Sequence, residues 1–134
     1  MANLQAVTGK GTILMVDDEP AVRAIVGRIL VDAGYDVVPA ADGQEALALY
    51  QRSGPFAVVL LDESMPGLPG RAVLERLLVL DPAAKVVLFT GYGPEAVDLR
   101  GAAGVLEKPV AMDTLLQFLG RVLDSGSGLQ PASE

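Results

Sequence analysis

The chain contains no cysteine and no histidine among its 134 residues. Without cysteine it forms no disulfide and has no thiolate nucleophile. Without histidine it lacks the usual general base and the commonest side-chain ligand of transition metals. Any chemistry that the protein performs must therefore use carboxylates, hydroxyls and lysine.

Long apolar runs are also missing. The longest uninterrupted one, FAVVLL (56–61), is six residues long, whereas a bilayer-spanning helix needs roughly 20. The N-terminus shows no basic-then-apolar leader pattern. These absences predict a cytoplasmic protein whose domain makes no membrane contact.

The charge and composition narrow the class further. A net charge of −7 repels polyanions, so nucleic acid is not an expected partner. With 51% hydrophobic and 20% charged residues, the composition is that of one globular domain. We predict this domain over residues 11–124, preceded by an N-terminal extension (1–10). The ending SGSGLQPASE (125–134) is typical of a flexible tail or a linker to a larger protein.

Apolar segments of two kinds alternate along the chain. Short strand-like segments are TILMV (12–16), YDVVPA (35–40), FAVVLL (56–61), KVVLFT (85–90) and GVLEK (104–108). Helix-like segments lie at 19–34, 42–54, 70–82, 94–100 and 109–123. The alternation predicts an α/β fold with a doubly wound, five-stranded parallel sheet covered by helices on both faces.

Punctuation and periodicity support the helices. Pro20 suits a first helical turn and Gly34 a C-terminal cap, while Asp42 and Glu45 have the spacing of a capping box. The first helix is predicted to bury one stripe of side chains: Val22, Ile25, Val26, Ile29, Leu30 and Ala33.

Polar residues stand where the predicted strands end. Asp17 and Asp18 follow the first strand, Asp62 the third, Thr90 the fourth and Lys108 the fifth. Taken singly, an acid after a strand is usually a solvated loop residue. Because parallel strands end at one shared edge, where ligands bind in such sheets, we expect these five side chains to converge.

Crowded carboxylates repel one another unless a cation offsets their charge. Oxygen ligands without histidine or cysteine favour Mg²⁺. A carboxylate can act as a nucleophile towards phosphorus, while Mg²⁺ and a lysine neutralise the phosphoryl oxygens. The pattern therefore predicts phosphoryl transfer. Asp62 is the best nucleophile because a dry strand fixes its backbone, and Asp17 and Asp18 serve the metal.

Four motifs carry a family resemblance: MVDDE, LLDESMPG, LFTG and LEKP. Together, and in this order, they resemble the signatures of the response-regulator receiver domain of two-component signalling. The resemblance covers about residues 11–124 and implies a flavodoxin-like (βα)5 fold with strand order 2-1-3-4-5. It also implies that helices one and five cover one face and helices two to four the other.

The resemblance implies a role for each matching residue. Asp62 would be the phosphoacceptor, Asp17 and Asp18 the acidic pair, Ser64 a Mg²⁺ ligand through its backbone carbonyl, Thr90 the switch hydroxyl and Lys108 the phosphoryl contact. Phosphorylation of Asp62 would draw Thr90 inward, and the loop after the fourth strand would follow. Gly91 would leave room for the phosphoryl group, or is simply a turn residue. The Lys108–Pro109 bond resembles the family's cis peptide.

A chain without histidine cannot supply its own phosphohistidine. The resemblance therefore implies a sensor histidine kinase or a histidine phosphotransfer protein as the phosphodonor, and an output partner that the sequence leaves open. TGYG and a short fourth helix are similar to receivers attached to hybrid sensor histidine kinases. In this reading the domain is a phosphoacceptor that catalyses its own phosphotransfer and slow dephosphorylation, not an enzyme with a separate substrate.

The sequence departs from the family pattern at several positions. Thr90 and Lys108 are 18 positions apart, a spacing short enough to remove about one turn of the fourth helix. Val105 stands where the family commonly has an aromatic switch residue, so the usual relay from Thr90 is in question. Glu63 replaces an apolar residue, and Tyr92 either lines the site or packs elsewhere.

Three alternatives compete with this reading. A phosphatase of the haloacid-dehalogenase type would have D-x-D after the first strand, but Glu19 stands at that spacing and there is no space for a cap domain. A flavodoxin-like cofactor module would bind a phosphate that Asp17 and Asp18 repel. A degenerate receiver, which binds partners without being phosphorylated, stays open.

Overall fold

The computed structural model describes residues 10–91, 101–108 and 110–125. Its strands are β1 (Thr12–Val16), β2 (Asp36–Ala40), β3 (Val58–Asp62), β4 (Val86–Thr90) and β5 (Gly104–Glu107). Its helices are α1 (Pro20–Asp32), α2 (Gly43–Ser53), α3 (Gly70–Leu80) and α4 (Met112–Ser125). The strands form one parallel sheet in the order β2-β1-β3-β4-β5, which confirms the predicted fold class and strand order.

Both faces of the central strands are buried. Along β1, Ile13 and Met15 face one hydrophobic cluster, and Leu14 and Val16 face the other. All five residues of β3 are buried. A strand covered on both sides has no solvent-facing positions, and this explains why its sequence is continuously apolar up to Asp62.

The helices divide between the two faces. Leu30 of α1 packs in one cluster with α4, whose contributions are Leu115, Leu119 and Val122. The other cluster contains residues of α2 and α3: Ala46, Tyr50, Val73, Leu74 and Leu77. This confirms the predicted division for the described helices. The helix predicted at 94–100 lies outside the described residues.

One prediction for α1 is wrong. Ile25 was assigned to the buried stripe, yet its side chain is 61% exposed, and Leu30 is the buried residue of this helix. Five residues of an α-helix rotate by about 140° around the axis, so Ile25 and Leu30 cannot both face the sheet. The apolar stripe is therefore narrower than the sequence pattern indicated.

The predicted caps are present. Pro20 occupies the first turn of α1, and Gly34 beyond its end has the left-handed φ of 107° that favours glycine. At α2 the Glu45 N–H donates to Asp42 Oδ1 at 2.8 Å, while Glu45 Oε1 accepts from the Ala41 N–H at 2.8 Å. Of the helices described, none is long and apolar enough to cross a bilayer.

Candidate metal centre

The carboxyl edge of the sheet brings three carboxylates together. Asp17 follows β1 directly and Asp62 is the last residue of β3, and these strands are neighbours with Val16 opposite Leu61. One oxygen from each of Asp17, Asp18 and Asp62 lies within 4.8 Å of the other two. The predicted convergence of the acids is therefore what the fold produces.

Asp62 is the most enclosed of the three acids, with 5% of its surface exposed. Its Oδ1 accepts a hydrogen bond from Lys108 Nζ at 2.9 Å and another from the Ser64 N–H at 3.1 Å. These two donors come from separate parts of the chain, one from the loop after β3 and one from the residue after β5. They fix the carboxylate at the edge of the sheet.

Lys108 reaches Asp62 because of the strand order. Its backbone N–H donates to the Thr90 carbonyl at 2.7 Å, which continues the pairing of β4 with β5 past Glu107. From there its side chain, 40% exposed, extends across the end of β4 to β3. Thr90 itself is fully buried at the end of β4, one residue beyond the partner of Asp62.

Gly91 follows β4 directly, and Ser64 lies two residues beyond the end of β3. Among the residues that the structure describes, none would meet a Cβ built at Gly91 within 4 Å. Ser64 is exposed and contributes its N–H to Asp62. The predicted metal contact of its carbonyl stays a prediction. Tyr92 and Pro109, with its predicted cis bond, lie outside the described residues.

The surroundings of Asp17 disfavour its ionised form. Burial raises the pKa of this carboxyl above its ordinary 3.8, and repulsion from Asp62 and Asp18 raises it further, against the Glu19 N–H and Lys108, which lower it. The ionised form is thus disfavoured by loss of water and by like charge. A divalent cation would reverse both effects. Three carboxylates with no histidine or cysteine among them fit a hard ion such as Mg²⁺.

Gly70, which the sequence analysis did not single out, holds the loop that carries Asp62. Its N–H donates to the Glu63 carbonyl at 3.1 Å, and a Cβ at this position would lie 2.6 Å from Glu63 Cα and 2.8 Å from the Asp62 carbonyl oxygen. Such distances exclude any side chain. The one clue in the sequence was a glycine at the start of a helix, where better helix formers are preferred.

An apolar cavity of about 480 Å³ adjoins the acids. Its walls come from α1, β4 and the approach to α4, and include Val22, Val26, Phe89, Val110 and Met112. The stripe of the first helix predicts Val22 and Val26 to be core residues, whereas in the structure both also line this cavity. Because the lining is assembled from distant segments, no local pattern could reveal it.

Val105 also occupies an informative position. It is half-buried in β5 and packs against the hydrophobic cluster shared with α2 and α3. An aliphatic side chain of this kind has no ring to turn between an inward and an outward position. A relay from Thr90 therefore has no aromatic side chain at this position through which to act.

Fold and site together define a doubly wound α/β domain with an acidic, lysine-containing site at the carboxyl edge of its sheet. The family model described as "Response regulator receiver domain" matches residues 13–120. The chain belongs to this family of two-component signalling domains. Membership sets aside the haloacid-dehalogenase phosphatase and the flavodoxin-like cofactor module, because both are different families.

Two curated relatives show the range of proteins in which this domain is found. Sporulation initiation phosphotransferase F of Bacillus subtilis is 33% identical over 116 residues, covering 83% of this chain and 92% of the relative. Sensor kinase CckA of Brucella abortus is 32% identical over 123 residues, covering 88% of this chain but 13% of the kinase. The same domain therefore makes up nearly all of one relative and a small part of the other.

Solved structures agree with this assignment. A CheY-like receiver domain from Methanospirillum hungatei has a TM-score of 0.81 at 32% identity, with 87% of this chain and 95% of that one covered. The response regulator TrrA of Thermotoga maritima, solved in complex with Mg²⁺–BeF, has a TM-score of 0.76 at 31% identity, with 83% and 97% covered.

Proposed function

We propose that this receiver domain accepts a phosphoryl group on Asp62 from a phosphohistidine of a partner protein, with Mg²⁺ bound beside it. The observation that supports this most is the cluster of Asp17, Asp18 and Asp62 within 4.8 Å, with Lys108 Nζ 2.9 Å from Asp62 Oδ1. A nucleophile, a site for a divalent cation and a mobile positive charge are the parts that phosphoryl transfer requires.

Each residue has a distinct task in this proposal. Asp17, Asp18, Asp62 and the Ser64 carbonyl would hold Mg²⁺, which neutralises charge on the phosphoryl oxygens when bound. An Asp62 carboxylate oxygen attacks phosphorus, and the bond between phosphorus and the partner's imidazole nitrogen breaks with its electron pair left on that nitrogen. Lys108, now paired with Asp62, would follow the charge to a phosphoryl oxygen.

The signal would pass through Thr90. Its buried position at the end of β4, next to Gly91, where no described residue would lie within 4 Å of a Cβ, supports a movement in which the hydroxyl bonds a phosphoryl oxygen and the following loop is drawn along. We expect Thr90→Ala to keep phosphorylation but to lose the change in partner binding. A variant with a full partner response would remove Thr90 from the switch.

The partners follow from the chemistry and from the relatives. The donor would be a sensor histidine kinase or a histidine phosphotransfer protein. The similarity to Sensor kinase CckA supports the view that this domain is a segment of a hybrid kinase. The similarity to sporulation initiation phosphotransferase F supports the view that it is a separate protein. The domain limits of 11–124 and a cytoplasmic location stay predictions.

Intact-mass measurement after treatment with acetyl phosphate tests the proposal. Wild-type protein should gain the mass of one phosphoryl group with Mg²⁺ present and not after chelation. Asp62→Asn should gain none, whereas Asp81→Asn, a matched change of an acid that bonds Tyr50 instead, should label normally. Equal labelling of Asp62→Asn would reassign the acceptor, and unlabelled wild type would favour the non-phosphorylated, partner-binding receiver.

A further inference from the structure

Arg23, in the first turn of α1, bonds the backbone of a metal-site residue. Its Nη1 donates to the Asp17 carbonyl oxygen at 2.6 Å. Asp17 is held at two other points. Its N–H donates to the Ala40 carbonyl at 3.1 Å, and its Oδ1 accepts from the Glu19 N–H at 2.9 Å. Arg23 therefore ties helix α1 to the acidic turn that precedes it.

The turn needs such a tie because the start of α1 is weakly capped. Glu19 at the N-cap makes no side-chain capping bond, so its side chain does not fix the turn at which α1 begins. At the same time one oxygen from each of Asp17, Asp18 and Asp62 lies within 4.8 Å of the other two, and like charges at this distance repel. This repulsion acts to move the carboxylates apart, and Arg23 opposes the movement by holding the Asp17 carbonyl.

The choice of acceptor also matters. The guanidinium bonds the main-chain oxygen, which leaves the Asp17 carboxylate for the Glu19 N–H and for a cation. Arginine stays protonated under all ordinary conditions and its planar donors hold a fixed geometry. The contact can therefore fix the backbone without occupying a metal ligand.

We propose that Arg23 is a positioning residue of the metal site, which aims the carboxylates of Asp17 and Asp18 at the ion by holding the Asp17 carbonyl. The inference rests on the proposed function, because it assumes that Mg²⁺ binds between these acids. In this proposal Arg23 acts through the Asp17 backbone and is not itself a ligand of the ion.

Positioning and simple charge predict opposite results when Arg23 is removed. A positive charge near a cation site weakens cation binding by repulsion, so loss of the charge alone would strengthen Mg²⁺ affinity. Loss of a residue that orients metal ligands weakens it, typically by 10-fold or more. The sign of the change therefore separates the two explanations.

The experiment measures Mg²⁺ affinity by titration calorimetry on the full chain, well below the melting midpoint. We expect Arg23→Met to bind about tenfold more weakly and Arg23→Lys, which keeps a donor, to recover part of that loss. The matched control is Arg28→Met on the same helix. Arg28 is exposed and pairs only with the exposed Asp32 among the described ion pairs, at 3.3 Å, so its affinity should stay within about twofold of wild type.

Affinity that is unchanged or tighter in Arg23→Met would overturn the inference, even if the melting midpoint fell, since that result describes a purely structural contact. If Arg23→Met does not fold, Arg23→Lys decides by the same criterion, with weaker binding as the supporting result. Wild-type protein that binds no Mg²⁺ would contradict the proposed function as well, whereas wild-type binding with an unaffected Arg23→Met contradicts this inference alone.

Discussion

The two edges of the sheet use carboxylates in different ways. At the amino edge, where α3 ends, Asp81 Oδ2 accepts from the Tyr50 hydroxyl at 2.6 Å and Asp81 Oδ1 accepts from the Ala83 N–H at 3.0 Å. At the carboxyl edge three carboxylates stand within 4.8 Å of one another. The acid at the amino edge pairs with a phenol hydroxyl and a backbone N–H, whereas the acids at the carboxyl edge have donors of their own but also lie close to one another.

The difference separates a structural contact from a functional site. Burial and the contact with Asp81 raise the pKa of Tyr50, so the phenol stays protonated and keeps donating. Burial is also the main cause of the raised pKa of Asp17, but there the further rise comes from two neighbouring carboxylates, Asp62 and Asp18, and not from a hydrogen bond that Asp17 donates. Proteins depart from local electrostatic balance mainly where function requires it. The comparison therefore supports the proposed function at the carboxyl edge.

The largest expected effect is the loss of the metal. Replacing Asp17 and Asp18 together by Asn removes two charged ligands, and we expect Mg²⁺ affinity to fall by at least about 100-fold, because ligand charge sets the affinity of such sites. Asp81→Asn at the other edge should bind as wild type does. Calorimetric titration measures both, and equal losses in the two proteins would break the comparison.

Tyr50→Phe tests the amino edge. The change removes a hydroxyl that donates to a carboxylate, and we expect the free energy of unfolding to fall by about 1–2 kcal/mol. The lower part of the range for charged hydrogen bonds applies because Asp81 is partly exposed. Urea denaturation measures the loss, and Mg²⁺ affinity should be unchanged. A variant as stable as wild type would show that this contact stabilises nothing.

Asp17→Asn, measured without metal, should raise the stability of the protein, whereas Tyr50→Phe lowers it. The amide keeps an oxygen for the Glu19 N–H but removes the repelled charge, so we expect the melting midpoint at neutral pH to rise by about 3 °C. Because the folded-state pKa of Asp17 is raised above 3.8, its destabilising effect is absent in acid and grows as the pH rises through the raised value.

Melting curves from about pH 3 to about pH 7 measure this difference. The advantage of Asp17→Asn should be absent at the acid end and develop as the pH rises. An advantage of the same size in acid would assign the effect to packing instead of charge.

Much of the fold could be predicted from the sequence because its strands are buried on both faces and its helices are punctuated by Pro20, Gly34 and Asp42. The error at Ile25 shows the limit of that reasoning. An apolar residue at the margin of a stripe obeys the pattern equally well whether or not the sheet covers it. Only the packing of α1 decides.

Some residues of the site could likewise be predicted from the sequence and others could not. Asp17, Asp62 and Lys108 could be brought together in advance because the carboxyl ends of parallel strands share an edge. Gly70 and Arg23 could not, because their contributions are contacts with main-chain atoms at particular distances. Such contacts depend on how a loop or a helix closes on a strand end, and no residue spacing records them.

The most direct test of the account compares wild type with Asp17→Asn with and without Mg²⁺. Metal-free, the variant should melt above wild type. Mg²⁺ at about ten times the wild-type Kd stabilises wild type by about 1.4 kcal/mol. The variant should hardly respond to the metal, so wild type should then melt at or above the variant. A metal response of equal size in both proteins, or none in wild type, would contradict the claim that these carboxylates form a cation site.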